Sequence, residues 1–243
     1  MIGFISAGFN PPQSLTKEEM SFLRVSDTII VDTYTSPNYL RSFEGRELTF
    51  ASRERMEDFE WILRLKGNVS IVIPGDSFSA TTHFSIYQQA VKEGVEIKVF
   101  HNASIFPVAA TRLGLHLYKV GPAVSLPRFK GRFRPVSPYD KILENFRRGL
   151  HTIVLLDTEP PMRLSDALDE LQWMEAERNE GLFRDETSVG VLSGLGMPNE
   201  KIAFGNMSTL KKWNEGDVPF TIVVPGELHF QEKEALELFR VRL

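Results

Sequence analysis

Apolar residues in this chain come first in short β-branched runs and then at helical spacing, and the two patterns alternate. Ile2 to Ala7 is an apolar run ending in the small-residue turn Ser6-Ala7-Gly8-Phe9, after which Pro11 and Pro12 keep the loop extended. Ser14 or Thr16 caps a helix with Lys17-Glu18-Glu19 in its first turn and Met20, Phe22 and Leu23 on its buried side, ending near Ser26-Asp27. Thr28 to Val31 reads as a buried strand, with Asp32 to Pro37 as the polar loop at its carboxyl end. The stretch from Tyr39 to Ala51 is mixed, but Met56, Phe59 or Glu60, and Leu63 predict a helix over Arg53 to Lys66 that Gly67-Asn68 stops. A strand at Val69 to Ile73, a helix over Thr81 to Glu93 closed by Gly94, and a strand at Glu96 to Phe100 follow, and this alternation predicts a parallel sheet.

Between Ser104 and Pro138 glycine and proline interrupt every long period, which places a domain junction near Gly114: an N-terminal α/β domain, residues 1–113, and a C-terminal α/β domain, residues 114–243. The second half restarts the pattern, with a helix from Ser137 to Arg148 and a strand at Thr152 to Leu156. A long amphipathic helix at Leu164 to Glu177 and a strand at Ser188 to Leu192 come next. A strand at Lys201 to Phe204, a short helix at Met207 to Trp213, a strand at Phe220 to Val224 and a helix at His229 to Arg240 close the chain. The fold class is α/β, with two α/β domains and a ligand cleft between them.

Composition narrows the function classes. A hydrophobic fraction of 42% over 243 residues supports a real core. Twenty-eight basic against 32 acidic residues, a net charge of −4, argue against a nucleic-acid-coating protein. With no cysteine, structural disulfides, Cys-ligated zinc and a thiol nucleophile are excluded, and a reducing, cytoplasmic setting is expected. No apolar run approaches membrane-span length and no basic leader precedes the first strand, so neither a membrane nor a targeting role is expected.

Candidate chemistry concentrates at the predicted strand ends. Ser6-Ala7-Gly8, Pro74-Gly75-Asp76, Ser193-Gly194-Leu195-Gly196 and Pro225-Gly226 are turns of small residues, each explicable by turn geometry alone and together suited to a ligand held through main chain. Neither a dinucleotide fingerprint nor a P-loop occurs. Asp76, between strand and helix, is either a plain Asx-turn residue or the carboxylate that meets a ligand. The histidines His83, His101, His116, His151 and His229 lack metal-binding spacing, so no metal is expected, and Ser79, Thr81 and Thr82 form no nucleophile elbow. The basic run Arg128, Lys130, Arg132 and Arg134, interleaved with Phe129 and Phe133, reads as a solvated loop or as a contact for an acidic substrate. A site without an obvious acid, base or nucleophile suits a reaction that needs alignment of an activated donor, such as methyl transfer from a sulfonium.

Several motifs carry a resemblance: Gly75-Asp76, Ala80-Thr81-Thr82-His83, His101-Asn102-Ala103-Ser104-Ile105, Gly114-Leu115-His116-Leu117-Tyr118, Gly149-Leu150-His151-Thr152 with Leu155-Leu156-Asp157, and Val224-Pro225-Gly226-Glu227-Leu228-His229. In this order and over nearly the whole chain they resemble the diphthine synthases, among the tetrapyrrole-methylase-like, class III, methyltransferases. The resemblance implies a homodimer binding S-adenosylmethionine in the interdomain cleft. It implies repeated methylation of the amino group of a 3-amino-3-carboxypropyl side chain on a histidine of translation elongation factor 2, in diphthamide biosynthesis. It implies donor contacts at Phe9, Asp76, Ser79, Ser104 and Ile105, and at Leu156, Leu195 and Phe220 from the second domain. Two positions depart from the family pattern: Ser6 stands where a glycine is usual and Ser77 where a proline is usual. The alternatives are a precorrin or uroporphyrinogen acceptor with the same fold, and a non-catalytic ligand-binding protein.

Overall fold

Strands that are buried on both faces need a helix layer on each side, and the first half of the chain is built this way. The computed structural model describes residues 1–36 and 47–242; Pro37 of the predicted polar loop and residues 39–46 of the mixed stretch lie outside the described residues. The elements of the first half are β1 (Ile2–Ser6), α1 (Lys17–Arg24), β2 (Thr28–Asp32), β3 (Thr49–Ala51), α2 (Arg53–Glu57), α3 (Glu60–Leu63), β4 (Val69–Ile73), α4 (Phe84–Lys92) and β5 (Ile97–Phe100). Its sheet has the order β3-β2-β4-β1-β5, and every pairing is parallel. Alternate side chains divide between two cores. Phe4, Ile30, Ile71 and Ile73 pack with Met56, Ile62 and Ile86 on one face, while Ile5, Ile29, Val31 and Val72 pack with Phe22 and Leu23 of α1 on the other. The single helix expected over Arg53 to Lys66 is two short ones, because the backbone leaves helical geometry at Asp58. Met56 and Leu63, seven residues apart, fit either arrangement.

The second half contains α5 (Ile105–Arg112), β6 (Val124–Leu126), α6 (Ser137–Arg147), β7 (Thr152–Leu156), α7 (Leu164–Arg178), β8 (Ser188–Ser193), β9 (Lys201–Asn206), α8 (Met207–Leu210), β10 (Phe220–Val224) and α9 (Phe230–Glu237), with a 3-10 turn at Leu117–Lys119. Its sheet has the order β6-β7-β10-β8-β9. Only β6 and β7 run parallel there, and the β7-β10, β10-β8 and β8-β9 pairings are antiparallel, so the second sheet is mixed. Tyr139 and Ile142 of α6 and Leu168, Leu171 and Met174 of α7 pack against Val154, Val191 and Ile222 of this sheet. The chain divides into two compact units, Met1–Ile105 and Phe106–Leu243.

Candidate active site

In the first unit, β1 and β4 are neighbours whose connections diverge: the chain leaves β1 for β2, beyond β4, and leaves β4 for β5, beyond β1. Loops that part in this way open a crevice at the carboxyl ends of the strands, where ligands of open α/β sheets bind. The two loops are joined at their bases, since the Gly8 N–H donates to the Gly75 carbonyl (3.1 Å) and the Gly75 N–H donates to the Gly8 carbonyl (2.8 Å). Both residues have positive φ, 63° and 71°, a conformation glycine adopts without a Cβ penalty. Phe9 follows directly, half-buried. The Ala103 carbonyl, just before Ser104 and Ile105, lies 3.7 Å from where a Cβ on Gly75 would sit. The loop after β5 is tied in from its other side by Asn102, whose Nδ2 donates to the Ser14 carbonyl (2.9 Å) and to Glu19 Oε2 (3.3 Å). Glu19 is fully buried and closes a capping box with Thr16 at the start of α1. Phe9, Asp76, Ser79 and Ser104 therefore belong to three adjoining loops, and Ile105 opens α5 directly after the third.

Asp76 is held from several sides. Its Oδ1 accepts the Phe78 N–H (3.1 Å) and the Ser79 hydroxyl (3.0 Å), and its Oδ2 lies 3.1 Å from His101 Nδ1. Burial pushes the carboxyl upward, but the His101, Phe78 and Ser79 hydrogen bonds outweigh it, and the group is held below the usual carboxylate range. Asp76 is thus both the Asx-turn residue and an ionised carboxylate with lone-pair capacity left for a ligand. Ser6 and Ser77 occupy one buried contact: the Ser77 N–H donates to Ser6 Oγ (2.9 Å) and the two hydroxyls are 2.9 Å apart. Proline at 77 would lack the N–H and glycine at 6 would lack the hydroxyl, so the two departures compensate each other. Asp32 is not an exposed loop residue; fully buried, it accepts the Tyr34 and Thr35 N–H groups (2.7 and 3.0 Å) and faces His83 Nε2 at 3.2 Å.

In the second unit Leu156 ends β7, Phe220 begins β10 beside it, and Leu195 follows β8, whose Ser193 pairs with Phe220. The three predicted positions share one end of the sheet. Their side chains are 8%, 8% and 4% exposed, so these positions offer a ligand main-chain groups more than side-chain surface. At the opposite end lies a second polar centre that sequence reasoning did not foresee. Glu232, fully buried, accepts Lys119 Nζ (2.8 Å), His151 Nε2 (2.9 Å) and the N–H groups of His116 and His229 (2.8 Å each). Burial raises this carboxyl, yet the Lys119 hydrogen bond and its companions bring it down to about 2. His151 is lowered from its ordinary value, with burial as the largest cause.

The basic run is not simply solvated. Arg128 pairs with Asp166 (3.0 Å) and donates to the Pro161 carbonyl (3.2 Å), and the Arg134 guanidinium lies 5.9 Å from the Phe129 ring and 5.6 Å from Trp173. Two of its four cations are thereby engaged within the second unit, while Lys130 and Arg132 are exposed. Among the described residues, no cluster of three or more His, Cys, Asp or Glu is arranged to hold a metal ion.

A sequence profile described as Tetrapyrrole (Corrin/Porphyrin) Methylases matches residues 1–211. A diphthine synthase of Thermoplasma acidophilum is 35% identical over 98% of this chain and 95% of its own length. A diphthine methyl ester synthase of Saccharomyces cerevisiae is 30% identical over 97% of this chain and 88% of its own. A crystal structure of diphthine synthase superposes with a TM-score of 0.83 at 27% identity, covering 98% of this chain and 95% of the other. With diverging loops at a β1/β4 switch point, a mixed second sheet and these near-full-length matches, the chain belongs to the tetrapyrrole methylase family and, within it, to the diphthine synthases, and it is a methyltransferase.

Proposed function

We propose that the chain transfers methyl groups from S-adenosylmethionine to the amino nitrogen of a 3-amino-3-carboxypropyl group carried by a histidine of translation elongation factor 2, repeating the transfer on the same nitrogen. The observation that carries this reading is similarity to diphthine synthases over nearly the full length of both chains. The chemistry of the first unit is consistent with it. A sulfonium methyl is already activated, so the protein need only align donor and acceptor and exclude water; each transfer forms an N–C bond as the C–S bond breaks and releases S-adenosylhomocysteine. The ionised Asp76 suits a donor with a cationic sulfur and an ammonium group.

In this reading Phe9, Asp76, Ser79, Ser104 and Ile105 hold the donor together with Leu156, Leu195 and Phe220, the last three through main chain. A homodimer and a cytoplasmic setting are part of the proposal. The absence of cysteine supports the setting, and among the described residues no helix is long and apolar enough to cross a membrane. Titration calorimetry with S-adenosylmethionine and S-adenosylhomocysteine tests the donor. Intact-mass spectrometry of elongation factor 2 bearing the unmethylated side chain, before and after reaction, tests the acceptor and counts the methyl groups. The expected result is donor binding and stepwise mass gain on the factor; transfer to a precorrin and none to the factor would overturn the acceptor, and absence of donor binding would overturn the whole reading.

A further inference from the structure

An ammonium has no lone pair, so an amine acceptor must lose a proton before each methyl transfer. The balance for one cycle is R–NH3⁺ plus sulfonium donor giving R–NH2CH3⁺, neutral thioether and one released proton. The first unit has two imidazoles. His83 is 1% exposed, with Nε2 turned to Asp32 at 3.2 Å and to the Tyr34 hydroxyl at 3.3 Å, and it cannot reach a protein-borne acceptor. His101 is different. Its side chain is 73% exposed, it stands three residues before Ser104, and its Nδ1 is 3.1 Å from Asp76 Oδ2.

An ionised carboxylate only accepts hydrogen bonds, so Nδ1 carries the proton of this contact, and in the neutral form of the ring Nε2 carries the lone pair. Asp76 is itself fixed by the Phe78 N–H and Ser79 hydroxyl, which orients the imidazole through a carboxylate that cannot turn away. Asp76, from the loop after β4, is the charged group placed against His101. On α1, Glu19 is directed to the adjacent Asn102 and the Thr16 cap, and Glu18 pairs with Lys98. Among the described residues no hydrogen bond occupies Nε2.

We propose that His101 is the general base of the reaction, with Nε2 taking the proton from the acceptor ammonium while Asp76 holds the ring and its tautomer. The proton moves from nitrogen to Nε2, the freed lone pair attacks the sulfonium methyl, the C–S electron pair leaves with sulfur, and His101 returns its proton to solvent before the next cycle. This inference rests on the amine-acceptor reading given above.

The test is His101→Asn, whose side-chain amide can still donate to Asp76 from near the Nδ1 position but has no basic atom at Nε2. Single-turnover methylation of the modified elongation factor is measured across pH for the unmutated protein and the variant, alongside calorimetry with S-adenosylhomocysteine. A loss of about 100-fold or more near neutral pH is expected, in the range of general-base contributions, with the deficit shrinking as pH rises and the amine loses its own proton. Affinity for S-adenosylhomocysteine is expected to stay within about twofold. Unchanged rates, a deficit that is constant across pH, or lost cofactor affinity would each overturn the base assignment. An unmutated protein that methylates nothing refutes the functional reading itself, which separates the two failures.

Discussion

The Ser6–Ser77 contact makes a quantitative prediction about two substitutions that restore the usual family residues. Both side chains are fully buried, and Ser6 Oγ receives the Ser77 N–H at 2.9 Å and meets Ser77 Oγ at 2.9 Å. Ser6→Gly alone strands a buried N–H and a buried hydroxyl, at about 1–3 kcal/mol for an unsatisfied group, and adds about 0.5–1 kcal/mol for glycine in a strand. Ser77→Pro alone strands the Ser6 hydroxyl, again about 1–3 kcal/mol. In the double variant neither the hydroxyls nor the N–H remain, so only the glycine cost of about 1 kcal/mol is left. The double variant is therefore expected to be less destabilised than the sum of the singles by at least about 3 kcal/mol, about 1 kcal/mol or more for each of the three polar groups that the singles strand. Urea titrations followed by far-UV circular dichroism and by fluorescence measure this; Trp61 reports the first unit, and Trp173 and Trp213 the second. Additivity within about 0.5 kcal/mol would refute the compensation argument, because independent sites add to that precision.

Three further outcomes follow from named contacts. Glu232→Gln removes the charge that Lys119 and His151 face; the fall of the carboxyl from 4.5 to about 2 corresponds to about 3 kcal/mol, so a loss of that size is expected at pH 7 in urea titration, and less than about 1 kcal/mol would contradict it. Because the folded-state value lies below the unfolded one, this contribution is complete above about pH 4.5 and disappears as pH falls toward 2; the difference between the unmutated protein and the glutamine variant should shrink over that window. Lowered His151 works in the same direction from its ordinary 6.5 downward, since the unfolded chain takes up a proton that the folded one resists, and the unmutated protein should lose stability from mildly acidic pH onward. Gly226→Ala would place a Cβ 2.5 Å from the Gly149 carbonyl carbon and the Leu150 carbonyl oxygen, backbone atoms that cannot swing aside, and about 3 kcal/mol of destabilisation is expected from the urea midpoint.

Much of the first unit was legible because strands buried on both faces leave contiguous runs such as Val69-Ser-Ile-Val-Ile73, which no surface segment imitates. The three-residue strands β3 and β6 are too short to carry a period, and β6 is framed by Pro122 and Pro127, which read as loop. The antiparallel character of the second sheet was hidden by the expectation that strand and helix alternate. Yet β8 and β9 follow one another with only the turn at 194–200 between them, a hairpin spacing that predicts their antiparallel pairing. Asp76 was legible from its place at a strand-to-helix crossover. Its partner His101, 25 positions away, and the Ser6–Ser77 pair, 71 apart, were not, because a contact made by tertiary packing leaves no local period or cap to read.

The motifs that make this chain recognisable do not all mark its ligand end. Gly114-Leu115-His116, Gly149-Leu150-His151 and Gly226-Glu227-Leu228-His229 each deliver a group to Glu232 or brace the turn around it: the His116 and His229 N–H groups and His151 Nε2 reach the carboxylate, while the Gly226 N–H donates to His151 Nδ1 at 2.9 Å. His151 precedes the start of β7, whereas Leu156 closes that strand, so this centre and the proposed donor positions occupy opposite ends of the second sheet, about 16 Å of strand apart. A carboxylate buried beneath several donors is costly to disturb, and that cost fixes the residues around it whether or not a ligand is present. Motif strength in the second unit thus reports a folding constraint, whereas in the first unit the motif residues Asp76, His101 and Ser104 lie at the strand ends. Substitutions at Glu232 and at His101 should accordingly separate, the first moving the unfolding midpoint and the second moving the rate of methyl transfer and its pH profile.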